Sequence, residues 1–295
     1  MNINKNIFTD PPTKEISIDD CLFYHVQEIP GMSEPTKGSF DLRKGVSDYL
    51  GHVNFNNKSV LELGPASGFL TFHIESLGGQ VTCIDLSTKN DSWDVVPNCT
   101  FDWKKKEKEH MNNELQKVQN AFWFAHRAQK SNSKVINSHI YNLPEETEMH
   151  DIGMMGLVLL HLQNPFKAIQ NICSHTKEKI IITDYVNRNG TLSIKKKMNI
   201  KNLIKNVKKV LTPKNPIIEF YPDLSTPHEF DVWWTISPEA MIKMAGIFGF
   251  GNSKINYHVQ YHEGKALDMY TVVCERIVPL ENCHYKSTKM LIGNF

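Results

Sequence analysis

From residue 59 onward, short apolar runs alternate with segments of helical periodicity, and no other feature of the 295-residue chain constrains its fold more. Continuous β-branched and apolar runs separated by helices indicate a parallel sheet that is buried on both faces. The predicted strands cover residues 59–63, 80–85, 134–138, 152–160 and 179–184, and the predicted helices cover residues 68–77, 109–129 and 165–175. The pattern therefore predicts an α/β fold with a doubly wound, mostly parallel sheet.

The alternation stops after Asp184 for about fifty residues, and regular structure resumes near residue 237. Ser237 followed by Pro238 is typical of a helix start, and Gly249 ends the apolar pattern of that helix. Two further strands, 254–261 and 268–274, are separated by a Gly-containing turn and indicate an antiparallel hairpin, which brings the sheet to seven strands. The predicted organisation is an N-terminal cap over 1–58, a core over 59–186 and 237–276, a helical lid insertion over 187–236, and a tail over 277–295.

Composition excludes several classes of protein. The chain is 40% hydrophobic and has a net charge of only +1, so neither a disordered chain nor a global polyelectrolyte is expected. The six cysteines are scattered without any C-x-x-C motif, so neither a structural metal site nor a disulfide framework is expected. The start lacks a secretory pattern, and the longest apolar stretch, 154–162, is shorter than the ~20 residues of a membrane span. These features predict a soluble cytoplasmic protein.

The sharpest local motif is VLELGPASGFL at residues 60–70, which lies between the first predicted strand and the first predicted helix. Gly64, Ala66 and Gly68 alternate with other residues in this loop. Small residues at such a position let a ligand approach the backbone closely and lie at the positive end of the helix. The loop therefore predicts a cofactor site.

Two cofactor classes use a loop of this kind. A dinucleotide site prefers glycine or alanine at the position of Phe69, whereas the spacing that begins at Glu62 is typical of S-adenosylmethionine sites. Asp85 follows Gly64 by 21 residues at the end of the second predicted strand, where a carboxylate can accept hydrogen bonds from both ribose hydroxyls. Both cofactor classes share that acid, so Asp85 supports a nucleoside site without selecting the class.

The order of motifs resembles a known family. Residues 60–70, 81–87, 136–146 and 157–169 together look like the motif series of class I S-adenosylmethionine-dependent methyltransferases. The resemblance covers residues 38–186 well and the last helix with its hairpin more loosely. It is closest to a generic group related to the tRNA wobble-uridine carboxymethyl-transferring enzymes, whose members often carry a Phe-Asp-Leu-Arg-like segment and a tryptophan pair, here Phe40–Arg43 and Trp233–Trp234. The resemblance implies a Rossmann-like methyltransferase fold with S-adenosyl-L-methionine as cofactor.

The resemblance also implies a set of cofactor contacts. They are Glu62, Gly64, Ala66, Ser67 and Gly68 at the loop, Asp85 and Leu86 at the ribose and adenine, Ile140 and Tyr141 beside the adenine, and Gly156 and Leu160 facing the sulfonium. Two positions depart from the family pattern. Ala66 replaces the middle glycine and is tolerated if its φ is negative, and His139 replaces an acid that is often found there. Arg43 is either a clamp on the carboxylate of the cofactor or a surface salt bridge.

Methyl transfer from a sulfonium is an in-line displacement, so the protein supplies position and, for a hydroxyl acceptor, a base. The fourth predicted strand ends in GLVLLHL rather than in the Asn/Asp-Pro-Pro-Tyr motif of exocyclic-amine methylation, which disfavours nucleobase N-methylation. His161, one residue past that predicted end, is a candidate base, although a histidine here also serves only to orient the loop. The rivals are His228 with Glu229 in the insertion and Tyr24 with His25 in the cap.

Two further segments bear on the acceptor. Trp233 and Trp234 are adjacent on an extended segment, so at most one of them is expected to face a substrate pocket. Residues 195–211 hold seven lysines and no acid, with apolar residues at helical spacing. This basic amphipathic helix is either a lid with solvated lysines or a surface that attracts an anionic substrate or tRNA phosphates, with anionic-membrane contact a weaker third interpretation.

The sequence thus predicts a methyltransferase that acts on a small polar metabolite, at a hydroxyl of a sugar, a sugar phosphate or a natural-product intermediate. One alternative is a tRNA wobble-uridine modifying enzyme, which is disfavoured because the only other lysine-rich stretch is short, at 104–108. Another alternative is an S-adenosylmethionine-binding protein without turnover. No metal is expected, and the acceptor and the oligomeric state stay open.

Overall fold

The computed structural model describes residues 6–87, 94–96, 105–186, 216–223 and 231–283. The strands are β1 (Phe40–Asp41), β2 (Ser59–Leu63), β3 (Gln80–Asp85), β4 (Lys134–Asn137), β5 (His150–Gly156), β6 (Thr176–Tyr185), β7 (Ile218–Phe220), β8 (Trp234–Ile236), β9 (Phe250–His262) and β10 (Lys265–Arg276). The α-helices are α1 (Val46–Tyr49), α2 (Phe69–Ser76), α3 (Lys105–Gln129), α4 (Pro165–Ser174) and α5 (Pro238–Ile247).

The main sheet has the strand order β1-β9-β10-β6-β5-β2-β3-β4. Strands β2 to β6 are mutually parallel, and β10 pairs antiparallel with both β6 and β9. This topology confirms the predicted doubly wound, mostly parallel sheet with a C-terminal antiparallel hairpin. The seven predicted strands are all present, and the two-residue β1 adds an eighth at the edge of β9. Strands β7 and β8, both in the predicted insertion, form a separate antiparallel pair.

One predicted strand end was wrong, and the correction moves the candidate site residues. The fourth predicted strand was expected to reach residue 160, but β5 ends at Gly156. Leu157 has a φ of +54°, which ends the extended backbone, and Leu159–His161 form a turn of 3-10 helix. Leu160 is therefore not at the strand end, and His161 lies five residues beyond it rather than one.

Side chains alternate between two apolar layers, one on each face of the sheet. In β2, Val60 packs into one layer with apolar residues of the cap, α2 and α3, whereas Leu61 and Leu63 pack into the other with α4 and α5. We call the first the cap face and the second the opposite face. Each fully buried aliphatic side chain in these layers stabilises the fold by roughly 1.5–3 kcal/mol before entropy is counted.

Helix ends follow the sequence signals. Ser237 caps α5 by accepting a hydrogen bond from the Ala240 amide at 3.2 Å, as the Ser-Pro motif predicts. Asn164 caps α4 in the same way, through the Lys167 amide at 3.0 Å. The five described cysteines are all free, and the described part of the chain contains no cluster of potential metal ligands. No helix within the described ranges is long and apolar enough to cross a membrane.

Candidate functional site

A pocket of about 160 Å³ lies at the carboxyl ends of β2, β3, β4 and β5. Open parallel sheets bind ligands at this edge, because the loops that follow the strands meet there. The residues that line it are Gly64, Ile84, Asp85, Leu86, Asp94, Ser138, His139, Ile140, Leu157, Val158, His161 and Leu162.

The glycine loop has a left-handed conformation, and of the predicted residues in it Gly64 lines the pocket whereas Ala66 and Gly68 do not. Gly64, Ala66 and Gly68 have φ values of +78°, +48° and +86°. The negative φ expected at Ala66 was therefore wrong, because the turn uses left-handed backbone at all three positions. A β-carbon at Gly64 would lie 2.9 Å from Cγ2 of Val158. Glycine thus keeps the backbone of the loop accessible beside the first turn of α2, where the helix dipole favours negative charge.

The N-terminal cap holds the loop from the other side. The amides of Tyr24 and His25 donate hydrogen bonds to Oγ of Ser67, at 3.1 and 3.2 Å, and Nε2 of Gln27 donates to the Ser67 carbonyl at 2.9 Å. Ser67 is fully buried and does not line the pocket. Its hydroxyl therefore fixes the loop to the cap, which the sequence did not predict.

Asp85 is the carboxylate at the end of β3. Its Oδ1 accepts a hydrogen bond from the Leu86 amide at 2.9 Å, and its Oδ2 accepts one from Nε2 of Gln119 at 3.1 Å. Burial raises the pKa of Asp85 to about 6, and the two hydrogen bonds lower that pKa in part. The carboxylate is held at the rim of the pocket, where it can accept hydrogen bonds from neighbouring hydroxyls of a ligand.

The far wall is built around Asp94, which sequence reasoning missed. Tyr141 donates its hydroxyl hydrogen bond to Oδ2 of Asp94, which also accepts from the Gln163 amide at 2.7 Å. Nε1 of Trp233 donates to the Asp94 carbonyl at 2.6 Å. Burial, followed by the hydrogen bond to Asp94, raises the pKa of Tyr141. Asp94 lies in no motif or periodic segment, so nothing in the sequence marks it.

Apolar contact in the pocket comes from Ile140 and Leu86. Ile140 is buried, and its carbonyl accepts a hydrogen bond from Nδ2 of Asn171 at 2.7 Å. His139, which replaces an acid of the family pattern, also lines the pocket and contacts the Tyr141 ring, with ring centroids 4.5 Å apart. The segment that follows β4 therefore supplies an apolar wall beside the His139 ring, whereas the predicted residue Tyr141 does not line the pocket.

His161 also lines the pocket, and Asp231 orients it. Nδ1 of His161 lies 2.6 Å from the Asp231 carbonyl oxygen and 3.6 Å from Oδ2 of the same residue. A carbonyl oxygen can only accept, so Nδ1 carries the hydrogen and Nε2 is the basic nitrogen of the neutral ring. Asp231 was not predicted, because it is 70 residues from His161 in the sequence. The rival base His228, with Glu229, lies outside the described residues.

Several predicted residues do not line the pocket. Arg43 donates to both carboxylate oxygens of Asp41, at 2.9 and 2.8 Å, and lies 3.8 Å from Glu28, which matches the alternative of a surface salt bridge. Leu160 is buried, and its carbonyl accepts from the Trp233 amide. Trp234 donates Nε1 to the Leu162 carbonyl at 2.9 Å. Neither tryptophan of the pair is among the lining residues.

Three more predicted residues lie on the cap face beside the loop. Glu62 is buried, and its Oε2 accepts from the Thr71 hydroxyl at 2.5 Å. Burial raises the pKa of Glu62 to about 7, against the lowering effect of Thr71 and Cys83. His25 is buried as well, and burial lowers its pKa to about 3. Gly156 ends β5 beside the glycine loop, and the basic segment 195–211 lies outside the described residues.

Comparison with known proteins gives no close relative. No family model and no curated protein matches the chain. Among solved structures, magnesium protoporphyrin IX methyltransferase from Synechocystis PCC 6803 is 14% identical, with 79% of this chain and 81% of that chain covered and a TM-score of 0.43.

Two other methyltransferase structures give similar values. The 1,6-didemethyltoxoflavin-N1-methyltransferase from Burkholderia thailandensis is 11% identical, with 80% of this chain and 77% of that chain covered and a TM-score of 0.45. The N-methyltransferase NodS from Bradyrhizobium japonicum WM9 is 12% identical, with 79% and 84% covered and a TM-score of 0.43. At these scores the likenesses establish neither the fold nor the function of this chain, and both are drawn from its own topology and site.

Proposed function

We propose that this chain is an S-adenosylmethionine-dependent methyltransferase that methylates a hydroxyl of a small polar molecule. The observation that supports the cofactor best is that Gly64, the first residue of the left-handed loop 64–68, and Asp85 line one pocket. The missing side chain of Gly64 leaves its backbone open to a ligand, and Asp85 can accept from both ribose hydroxyls. Ile140 and Leu86 offer apolar contact to a base. The residues present therefore fit an adenosine with a short chain at its 5′ position.

When bound, S-adenosylmethionine supplies an electrophilic methyl group on a sulfonium. The chain contributes position, since oriented reactants avoid most of the entropic barrier of a bimolecular reaction. His161 contributes the base. With Nδ1–H held by the Asp231 carbonyl, Nε2 would accept the proton of an acceptor hydroxyl at the pocket. An oriented histidine at the pocket is what favours a hydroxyl acceptor.

Calorimetric titration tests the cofactor assignment. We expect S-adenosylmethionine and S-adenosylhomocysteine to bind the full chain with micromolar Kd, since the two share every group that the pocket contacts. Guanosine serves as the control ligand, because it has the ribose but not the adenine. If neither S-adenosyl compound binds, the proposed function is wrong.

A transfer assay tests the acceptor class. The protein is incubated with methyl-tritiated S-adenosylmethionine and either a small-molecule cell extract below 3 kDa or total tRNA. We expect label in the small-molecule fraction and a mass increase of one methyl group on the product. Label in tRNA instead would support the wobble-uridine alternative, and cofactor binding without transfer to either fraction would support a protein without turnover.

His161→Gln separates the base from cofactor binding. A general base contributes typically 10²–10⁴-fold, so we expect kcat to fall by about 100-fold with an unchanged Kd for S-adenosylmethionine. Asp231→Asn keeps the carbonyl that accepts from Nδ1 and should have a smaller effect. An unchanged kcat in His161→Gln would assign this histidine to loop orientation alone.

A further inference from the structure

Tyr49, the last residue of α1, has a buried ring and an unused hydroxyl. The residue is only 2% exposed, yet its hydroxyl makes no hydrogen bond to any described residue. Buried tyrosine hydroxyls usually have a partner, because an unpaired polar group in the interior is costly. The hydroxyl is therefore placed to meet a molecule that is not part of the chain.

The Tyr49 hydroxyl lies close to the glycine loop, on the side of β5. A β-carbon on Gly156 would collide with the Tyr49 hydroxyl oxygen, so the phenol lies directly against the end of β5. Leu63 of β2 pairs with Met155 of β5, so Gly64 and Gly156 are neighbours one residue further along. A ligand that passes over Gly64 from the Asp85 side therefore extends toward the Tyr49 hydroxyl.

A buried network holds the backbone of Tyr49 in place. The hydroxyls of Thr183 and Thr271 each lie 2.9 Å from the Tyr49 carbonyl oxygen. Nε2 of His258 lies 3.0 Å from the Thr271 hydroxyl, and Nδ1 of the same ring lies 3.0 Å from Nε2 of Gln260. These side chains are all at least nine-tenths buried. Because the network lies in the interior, it fixes the end of α1 against the sheet.

The directions of these bonds are determined by their donors. The Gln260 amide donates to Nδ1 of His258 and also to the Gly45 carbonyl, at 2.9 Å. Nε2 of His258 therefore carries the hydrogen and donates to Thr271. Burial lowers the pKa of His258 to about 4, so the ring stays neutral above that pH and this pattern of donors persists. Both ends of α1, at Gly45 and Tyr49, are tied to the sheet by one network.

We propose that the Tyr49 hydroxyl binds the amino-acid end of an S-adenosyl ligand, whose adenosine lies at Asp85 and whose chain crosses Gly64. This inference rests on the proposed function and assigns a ligand contact that the sequence motifs do not contain. The amino-acid end carries an ammonium and a carboxylate, and a neutral phenol can accept from the first or donate to the second. Burial, reinforced by Tyr24, Tyr185, Asp184 and Glu62, raises the pKa of Tyr49, so the phenol is neutral at physiological pH.

The test compares two ligands that differ at that end. S-adenosylhomocysteine carries the amino acid, and 5′-methylthioadenosine shares the adenosine and the sulfur without it. In Tyr49→Phe we expect the Kd of S-adenosylhomocysteine to rise by about 5–10-fold, as for one lost hydrogen bond, and that of 5′-methylthioadenosine to stay within about twofold. Tyr270→Phe is the matched control, because it removes a buried hydroxyl that donates to the Ile236 carbonyl on the opposite face. That control should leave both Kd values unchanged.

The outcomes separate this inference from the proposed function. An unchanged Kd for S-adenosylhomocysteine in Tyr49→Phe, or an equal loss for both ligands, would overturn the contact while the wild-type binding data still support the function. Failure of the wild type to bind S-adenosylhomocysteine would overturn the proposed function and this inference with it.

The network is tested through Thr271, which acts on the ligand only by way of Tyr49. Thr271→Val keeps the side-chain volume and removes the hydroxyl. We expect the Kd of S-adenosylhomocysteine to rise about threefold and that of 5′-methylthioadenosine to stay unchanged. Thr271→Ser should restore the affinity. In the double variant with Tyr49→Phe the two losses should not add, because one acts through the other. Additive losses would show that Thr271 does not position Tyr49.

Discussion

The two sides of the glycine loop are built differently. Toward β3 and β4, the pocket is formed by residues that follow two strand ends, namely Asp85 with Leu86 and the segment around Ile140. Toward β5 and β6, the main-chain carbonyl of Tyr49 is held by side chains from β6 and β10, which a histidine and a glutamine of β9 support in turn. We call these the pocket side and the tyrosine side. The first is assembled from short local segments and the second from residues that are far apart in the chain.

This difference separates two tasks. On the pocket side, Asp85 lines the pocket, where a ligand can reach its carboxylate. On the tyrosine side, the polar groups are buried and bonded to one another, so each missing partner would leave an unsatisfied group in the interior. Substitutions on the pocket side are therefore expected to change mainly the ligand affinity. Substitutions in the buried network of the tyrosine side are expected to lower the stability of the fold more, because that network fixes the position of Tyr49.

The largest effect is expected where the two sides meet. Gly64→Val should abolish binding of S-adenosylmethionine, because its φ of +78° disfavours a branched residue and the new side chain would enter the space beside Val158. Calorimetry measures the binding, and circular dichroism checks the fold. The matched control is Gly264→Val in the β9–β10 turn, where φ is +74° and no atom lies within 4 Å of the added β-carbon. Normal binding by a folded Gly64→Val variant would exclude this loop as the site.

The next effect is confined to the pocket side. Asp85→Ala should raise the Kd of S-adenosylmethionine by about 30–150-fold, because two charge-assisted hydrogen bonds are lost. Asp85→Asn keeps one acceptor and should lose less affinity for S-adenosylmethionine. Asp268→Ala, which removes an exposed carboxylate, should leave that affinity unchanged. Since the pKa of Asp85 is raised to about 6 and the ligand prefers the ionised form, wild-type affinity should fall below pH 6. Unchanged affinity in Asp85→Ala would break the assignment of recognition to the pocket side.

Much of the fold and of the pocket side could be predicted from the sequence. Alternating apolar runs and helical segments report local structure directly, so the seven strands and the hairpin were predicted correctly. Gly64 and Asp85 follow strand ends at a characteristic spacing, which placed both at one edge of the sheet. The end of β5 was wrong because the apolar run 154–162 continues through Leu157, and the left-handed backbone at that residue leaves no trace in hydrophobicity.

The tyrosine side could not be predicted for a physical reason. Thr183, Thr271 and His258 come together through the pairing of β6 with β10 and of β10 with β9, and Tyr49 joins them only because α1 packs against these strands. A single Thr or His in an apolar strand can face either a buried hydrogen-bond network or solvent, and the sequence pattern does not distinguish the two. Asp231 beside His161 and Asp94 beside Tyr141 were missed for the same reason, since each pair is joined by tertiary contact alone.

The smallest predicted effect concerns stability on the cap face, at Glu62. Burial raises the pKa of this carboxyl to about 7, above the ordinary value of 4.5 that it regains on unfolding. The folded state therefore binds the proton more tightly, so ionisation of Glu62 lowers the free energy of unfolding as pH rises through 7, and that loss is absent near pH 4.5. A buried carboxylate of this kind destabilises the fold by roughly 1–3 kcal/mol at pH 8.

Glu62→Gln removes this charge and keeps the shape and one acceptor for the Thr71 hydroxyl. Without ligand, we expect the variant to be more stable than wild type by about 1 kcal/mol at pH 8 and equal to it at pH 5, as measured by urea denaturation. Glu281→Gln, at an exposed position, controls for the loss of one surface charge and should follow wild type at both pH values. A Glu62→Gln protein that is less stable at both pH values would show that the Thr71 and Cys83 hydrogen bonds outweigh burial. In that case the buried polar groups of the cap face would stabilise the fold. The pocket side and the tyrosine side would then differ only in how far apart in the sequence their residues lie.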